Sequence, residues 1–270
     1  IPPPGLSRRD SLRWLAYGDK GQYWSPNDTL TGDALKYWKF QTYIKDYLRT
    51  VAGIDRAVGS VLDYLEENGL SENTIVVYTS DQGFYLGEHG WFDKRWMYEE
   101  SFRMPFVIKN PRTIKAGTTS DAMIMNVDFA PTLLDMAGLE IPSEMQGKSF
   151  KGVFEGENKN QRKSVYYHYY EYPIWHKVQP HYGVKTDKYK LIHFYYSMDE
   201  WELYDLENDP NEMNNIYSEA STELIESLKK ELGALRKEYK DDGSIEQMKK
   251  MTDTVIRRVY NEPKVYKEKN

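Results

Sequence analysis

The stretch Asn73–Pro111, NTIVVYTSDQGFYLGEHGWFDKRWMYEESFRMPFVIKNP, organises the chain. Ile75, Val76, Val77 and Tyr78 are apolar at consecutive positions, too few for a helix and rich in β-branched and aromatic side chains. Such a run reads as a strand covered on both faces, which is the pattern of a buried parallel strand. Ser80, Asp81, Gln82 and Gly83 follow at once. Polar groups at the carboxyl end of a strand stand where open α/β sheets bind ligands. Glu88, His89, Asp93 and Lys94 then fall in one short loop before a second apolar strand, Phe106 to Ile108. Together these residues read as half of an active site.

Upstream, Tyr37, Phe40, Ile44, Tyr47, Val51, Ile54, Val58, Val61 and Leu65 recur every three or four positions, the stripe of a helix that should lie against a sheet. Asn68-Gly69 is its stop signal. Residues 1–33 lack a period and read as irregular, with one helical turn near Leu12 to Ala16. Downstream, Asp128 to Ala137 reads as a helix closed by Gly138. From Ser164 onward, aromatic and β-branched runs at Val165–Tyr170, His181–Lys185, Lys190–Tyr196 and Glu202–Tyr204 predict a small antiparallel sheet. A helix from about Ser218 to Tyr239 follows, and Ile245 to Tyr260 can form another. The expected fold is therefore α/β: residues 1–160 as strands with flanking helices, and residues 161–270 as an α+β subdomain with a long helix.

The chain has 270 residues, no cysteine and a net charge of −6. The acidity argues against a nucleic-acid partner, which needs a basic face to neutralise phosphates. Without cysteine there are no disulfides or thiolate metal sites, but that does not locate the protein. No run approaches the roughly 18 to 20 apolar residues of a membrane span. The sequence opens Ile1-Pro2-Pro3-Pro4, unlike a natural translation start, so the lack of a leader carries no information.

The motifs T-S-D-Q-G (Thr79–Gly83), G-E-H-G-W-F-D-K-R (Gly87–Arg95) and E-E-S-F-R-M-P-F-V-I (Glu99–Ile108), in this order and spacing, resemble the sulfatases of the alkaline-phosphatase superfamily. The resemblance is nearest to those acting on 6-sulfated N-acetylglucosamine. It continues through Asp128–Gly138, Gln146–Phe150, Tyr182–Ile192 and Glu202–Asn215. It implies that residues 1–160 form part of a large mixed sheet with flanking helices, and it implies a sulfated carbohydrate substrate, calcium as metal, and export to the periplasm or beyond.

Taken alone, Asp-Gln-Gly after a strand is more often a turn. The resemblance makes Asp81 and Gln82 calcium ligands, two hard oxygen donors that complete a set begun in an amino-terminal half. Gln82 stands where Asn or His is commoner. Lys94 is the implied catalytic and sulfate-binding residue, its ammonium stabilising charge on the sulfuryl group or leaving oxygen. His181 is a candidate for sugar contact. His89 is either a substrate contact or a histidine packed under Trp91. His168, Trp175 and His176 read as exposed aromatic decoration, and Glu99, Glu100 and Arg103 as ion pairs on a helix surface.

Sulfatases of this family use a formylglycine, made from Cys or Ser in a C/S-x-P/A-x-R motif, as nucleophile. That motif is absent from the 270 residues. The chain therefore looks like the carboxyl-terminal portion of a sulfatase, with the amino-terminal half of the catalytic domain as its partner, and by itself it should be inert. The rival readings are a phosphatase or phosphonate hydrolase of the same superfamily, and a non-catalytic carbohydrate-binding fragment built on the aromatic sheet.

Overall fold

The computed structural model describes residues 30–154, 156, 162–172 and 178–260. The turn expected near Leu12 to Ala16, together with Trp175 and His176, lies outside the described residues. The chain forms two compact units, 1–74 and 75–270. The change of sequence character near residue 160 falls inside the second of them.

The described part of the first unit is the helix α1, Gly32–Glu67, and the turn that ends it. Its last turn is closed by the Asn68 N–H on the Tyr64 carbonyl, 3.2 Å, and by Gly69 at φ +67°, a conformation that glycine adopts without strain. None of its residues is buried, so the packing of the apolar stripe predicted by the sequence is not made among the described residues of this unit.

In the second unit β1, Val76–Thr79, pairs antiparallel with β4, Phe106–Lys109, with Val77 opposite Ile108. The expected buried parallel strand is thus corrected among the described residues. β1 runs antiparallel to its neighbour and is half-exposed, because a two-stranded ladder covers neither face. Between them lie the hairpin strands β2, Tyr85–Leu86, and β3, Phe92–Asp93, and the one-turn helix α2, Glu99–Phe102. Two short helices follow, α3 (Phe129–Met136) and α4 (Lys151–Phe154).

The carboxyl-terminal sheet is the one the aromatic runs announce. β5 (Ser164–His168), β6 (His181–Thr186), β7 (Tyr189–Phe194) and β8 (Glu200–Asp205) form an antiparallel meander in sequence order. Its alternating side chains sort to two faces. Tyr182, Val184, Leu191 and Leu203 meet Leu228, Leu232 and Leu235 of α5, Thr222–Glu238, and Met248 of α6, Ile245–Tyr260. Ile192, Phe194 and Tyr204 meet Tyr85, Met97 and Tyr98 on the other side. α5 starts at Thr222 rather than near Ser218 because the Ser221 hydroxyl accepts the Leu224 N–H and caps it.

Gly183 allows the second face to close. A Cβ there would stand 2.5 Å from Met97 Sδ and 2.4 Å from the Leu191 carbonyl oxygen, so only glycine lets the Trp96–Tyr98 segment lie against the sheet.

Candidate active site

Ser80 and Asp81 follow directly on β1. The exposed Asp81 carboxylate accepts the Ser80 hydroxyl at 3.2 Å, and its backbone carbonyl accepts the Asn126 side-chain amide at 3.2 Å. Thr79, Ser80, Asp81, Asn126, Val127 and Phe129 line an open depression at this strand end. The Gln82 amide has no hydrogen-bond partner among the described residues. Two side-chain oxygen donors suit a hard cation, yet calcium takes about six to eight oxygens. Among the described residues no group of three or more His, Cys, Asp or Glu could hold a metal ion alone. Asp81 and Gln82 therefore fit as part of a ligand set and not as a whole one.

Gly83 fixes the next step of the chain. A Cβ on it would stand 2.0 Å from the Glu100 carbonyl oxygen, and its N–H donates to the Ser101 carbonyl at 2.8 Å. The loop after β1 is thereby pressed onto α2. The same helix receives the second loop, because the Arg95 N–H donates to Ser101 Oγ at 3.1 Å. Ser101, almost fully buried, holds the Gln82–Gly83 turn with its carbonyl and the Lys94–Arg95 turn with its hydroxyl. The sequence reading passed over Ser101; its only trace is a small polar residue within E-E-S-F, which has no period to betray it.

Lys94 projects from this second turn, half-buried, with its ammonium 3.2 Å from Asp93 Oδ1. The residues on either side have positive φ, +80° at Asp93 and +111° at Arg95, a backbone region costly to non-glycine residues. Arg95 is held by Asp93 Oδ2 at 2.5 Å and Glu171 Oε2 at 3.2 Å. Burial alone would lower its pKa, but these two carboxylates outweigh burial and raise it.

His89 is packed, though under Tyr98 and not Trp91. The two rings stack at 4.6 Å, and Nε2 faces Glu100 Oε2 at 3.5 Å. Trp91 instead leans on Trp96, 5.1 Å away.

Three expectations are corrected here. His181 has no exposed surface: its ring lies among Trp96, Tyr169 and Phe194, and its Nδ1–H donates to the Gln179 carbonyl at 2.7 Å. It offers no surface to a ligand in this chain, and burial pushes its pKa down to about 4. His168 is not surface decoration. Its side chain is almost wholly enclosed, Nδ1 donating to Asp241 at 2.6 Å and Nε2 accepting the Tyr195 hydroxyl at 3.0 Å. Glu99 does not pair along its own helix; its carboxylate meets Lys185 at 2.8 Å and Lys190 at 2.9 Å, both from the carboxyl-terminal sheet. Glu100 turns to His89, and Arg103 is exposed.

The familiar motifs thus serve partly as cement. Lys190, wholly buried, also binds Glu212 at 2.6 Å, and Glu212 in turn accepts the Glu99 N–H at 2.7 Å. Asp128 accepts the N–H groups of Met125 and Lys148, each at 2.8 Å, and a two-pronged contact from buried Arg162.

A strand-end carboxylate, Asp81, and a hairpin lysine, Lys94, thus stand on two turns fastened to one short helix. The chain belongs to the sulfatase family: the profile "N-sulphoglucosamine sulphohydrolase, C-terminal" matches residues 87–238, and the profile "Sulfatase" matches residues 16–139. Over 217 residues it is 56% identical to an N-acetylglucosamine-6-O-sulfatase of Bacteroides thetaiotaomicron, covering 79% of this chain and 39% of that protein. An arylsulfatase of Clostridium perfringens is 36% identical over 188 residues, 68% of this chain and 38% of that one. A solved structure, a complex with its substrate D-glucosamine-2-N,6-O-disulfate, superposes with a TM-score of 0.78 at 55% identity, over 81% of this chain and 45% of that chain. The match thus spans less than half the length of each of these three proteins. Among the described residues no helix is long and apolar enough to cross a membrane.

Proposed function

We propose that this chain is the carboxyl-terminal portion of an exported or periplasmic sulfatase that cleaves the 6-O-sulfate of N-acetylglucosamine or a related glucosamine. The observation that carries the reading is the 56% identity to an N-acetylglucosamine-6-O-sulfatase over a stretch of 217 residues. Asp81 and Gln82 hold part of the calcium shell, and the remaining ligands and the formylglycine nucleophile come from the amino-terminal half. Bound there, calcium supplies Lewis-acid polarisation of a sulfate oxygen. Of these two ligands, only Asp81 would bring a formal negative charge to the cation. Lys94 binds the sulfate and offsets the charge that grows as the ester bond breaks, which matters most where water is excluded.

The test uses the full-length parent protein with N-acetylglucosamine-6-sulfate and calcium. Sulfate release should fall about 100-fold or more in Lys94→Ala and in Asp81→Ala, and added calcium should partly restore the second but not the first. Hydrolysis of the matching phosphate ester in preference to the sulfate would reject the reading. The 270-residue chain alone should release no sulfate, since it lacks the nucleophile motif.

A further inference from the structure

Arg95 has the largest positive φ, +111°, among the described non-glycine residues, and it adjoins Lys94. Strain of this kind, roughly 1–3 kcal/mol per residue, survives only where the surroundings over-determine the conformation. Here they do. The Arg95 N–H is taken by Ser101 Oγ at 3.1 Å, and its carbonyl accepts the Tyr167 hydroxyl at 2.7 Å. Its guanidinium is fixed between Asp93 and Glu171. Both polar groups of its backbone, and Nε and Nη1 of its side chain, are therefore occupied.

These partners come from different parts of the unit. Ser101 lies on α2, Tyr167 on β5 and Glu171 just beyond it, while Asp93 precedes Lys94 itself. Tyr167 is seated by its own packing, its ring 4.9 Å from Phe102 and 5.7 Å from His181. Asp93 is divided as well: one oxygen faces Lys94 and the other is held by Arg95. Because Arg95 takes up that second oxygen, Asp93 cannot swing fully onto the Lys94 ammonium and quench it.

We infer that Arg95, locked by Ser101 and by Tyr167 of the carboxyl-terminal sheet, is a positioning residue that sets where the Lys94 ammonium stands. The inference rests on the role given to Lys94 above. It assigns the small sheet a part in sulfate recognition that needs no contact between sheet and substrate. Neither Tyr167 nor Ser101 touches the sulfate; each acts only through the turn.

The experiment is a double-mutant cycle in the full-length parent protein. Tyr167→Phe and Ser101→Ala each remove one hydrogen bond to Arg95 with little change of volume. Each should raise the inhibition constant of inorganic sulfate and lower kcat/KM for N-acetylglucosamine-6-sulfate about 3- to 10-fold. The inhibition constant of desulfated N-acetylglucosamine should not move. In a Lys94→Ala background both substitutions should be silent, because the residue they act through is gone. Losses that add to that of Lys94→Ala, or sulfate binding unchanged in both single variants, would overturn the inference. If one variant fails to fold, the other still decides. A parent protein that neither binds nor releases sulfate would reject the proposed function instead, a result visible before any variant is made.

Discussion

β7 and β4 are both short and rich in apolar residues, yet the chain treats them differently. In β7 every residue after Tyr189 is buried, with α5 on one face and Tyr85, Met97 and Tyr98 on the other. In β4 alternate residues are exposed, and Val107 keeps 63% of its surface. An apolar run declares that a strand will be covered; it does not say by what. β7 finds both covers within these residues. β4 and β1 do not, as expected of strands that another part of a longer protein completes.

The sharpest way to break this comparison is to strike the charges that join the two regions. Lys190→Ala leaves Glu212, fully buried, and Glu99 without their shared cation, and should cost about 3–5 kcal/mol in denaturant unfolding of the parent protein. A loss below about 1 kcal/mol would mean that the buried charges are not what fastens α2 to the sheet.

Acid is a second lever. His181 has its pKa depressed to about 4 from an ordinary 6.5 by burial, so the folded state refuses a proton that the unfolded state accepts. Its contribution is intact above pH 6.5 and is lost as the pH falls toward 4, a drop of about 3 kcal/mol. Glu99 acts in the same direction lower down: burial would raise it, but Lys190 and Lys185 outweigh burial and hold it below the ordinary range, so its contribution disappears as acid protonates it. In His181→Phe, stability measured between pH 6.5 and 4 should decline less steeply than in the unmodified protein. An identical slope would show that the buried imidazole is not the group responsible.

The smallest effect is the most discriminating. Val107→Ala should change the stability of the 270-residue chain by no more than about 0.5 kcal/mol. In the parent protein the same change should cost more than about 1 kcal/mol, because a residue covered there leaves a cavity. Equal small costs in both would show that β4 stays uncovered.

The sequence disclosed whatever is local or periodic. The four strands from Ser164 onward, the heptad-like stripe of α5 and the Asn68-Gly69 stop each follow from neighbours within a few positions. So did the strand before Asp81 and the loop bearing Lys94. What stayed hidden depends on distance along the chain. No pattern near Glu99 points to Lys190, 91 residues on, and nothing around Arg95 announces Tyr167, 72 residues later. His181 and His168 misled for a related reason: an aromatic run predicts a strand but cannot tell which of its polar rings a later helix or loop will enclose. The pairing of β1 with β4 was hidden too, since consecutive apolar residues suit any well-covered strand whatever the direction of its neighbour.

The Glu99–Lys190–Glu212 cluster also bears on how this polypeptide would behave if its backbone were severed. A break between Phe154 and Arg162 would put Glu99 on one fragment and both Lys190 and Glu212 on the other, with Asp128 and Arg162 divided likewise. Separating the fragments would strip Glu99 of Lys185 and Lys190 and Asp128 of Arg162, leaving Lys190 and Glu212 paired on one fragment, and would expose the apolar contacts of Met97 on the sheet. Such halves should stay together through chromatography and part only in denaturant. The same property would let them be produced separately and combined as a split protein, its reassembly governed by acid and salt.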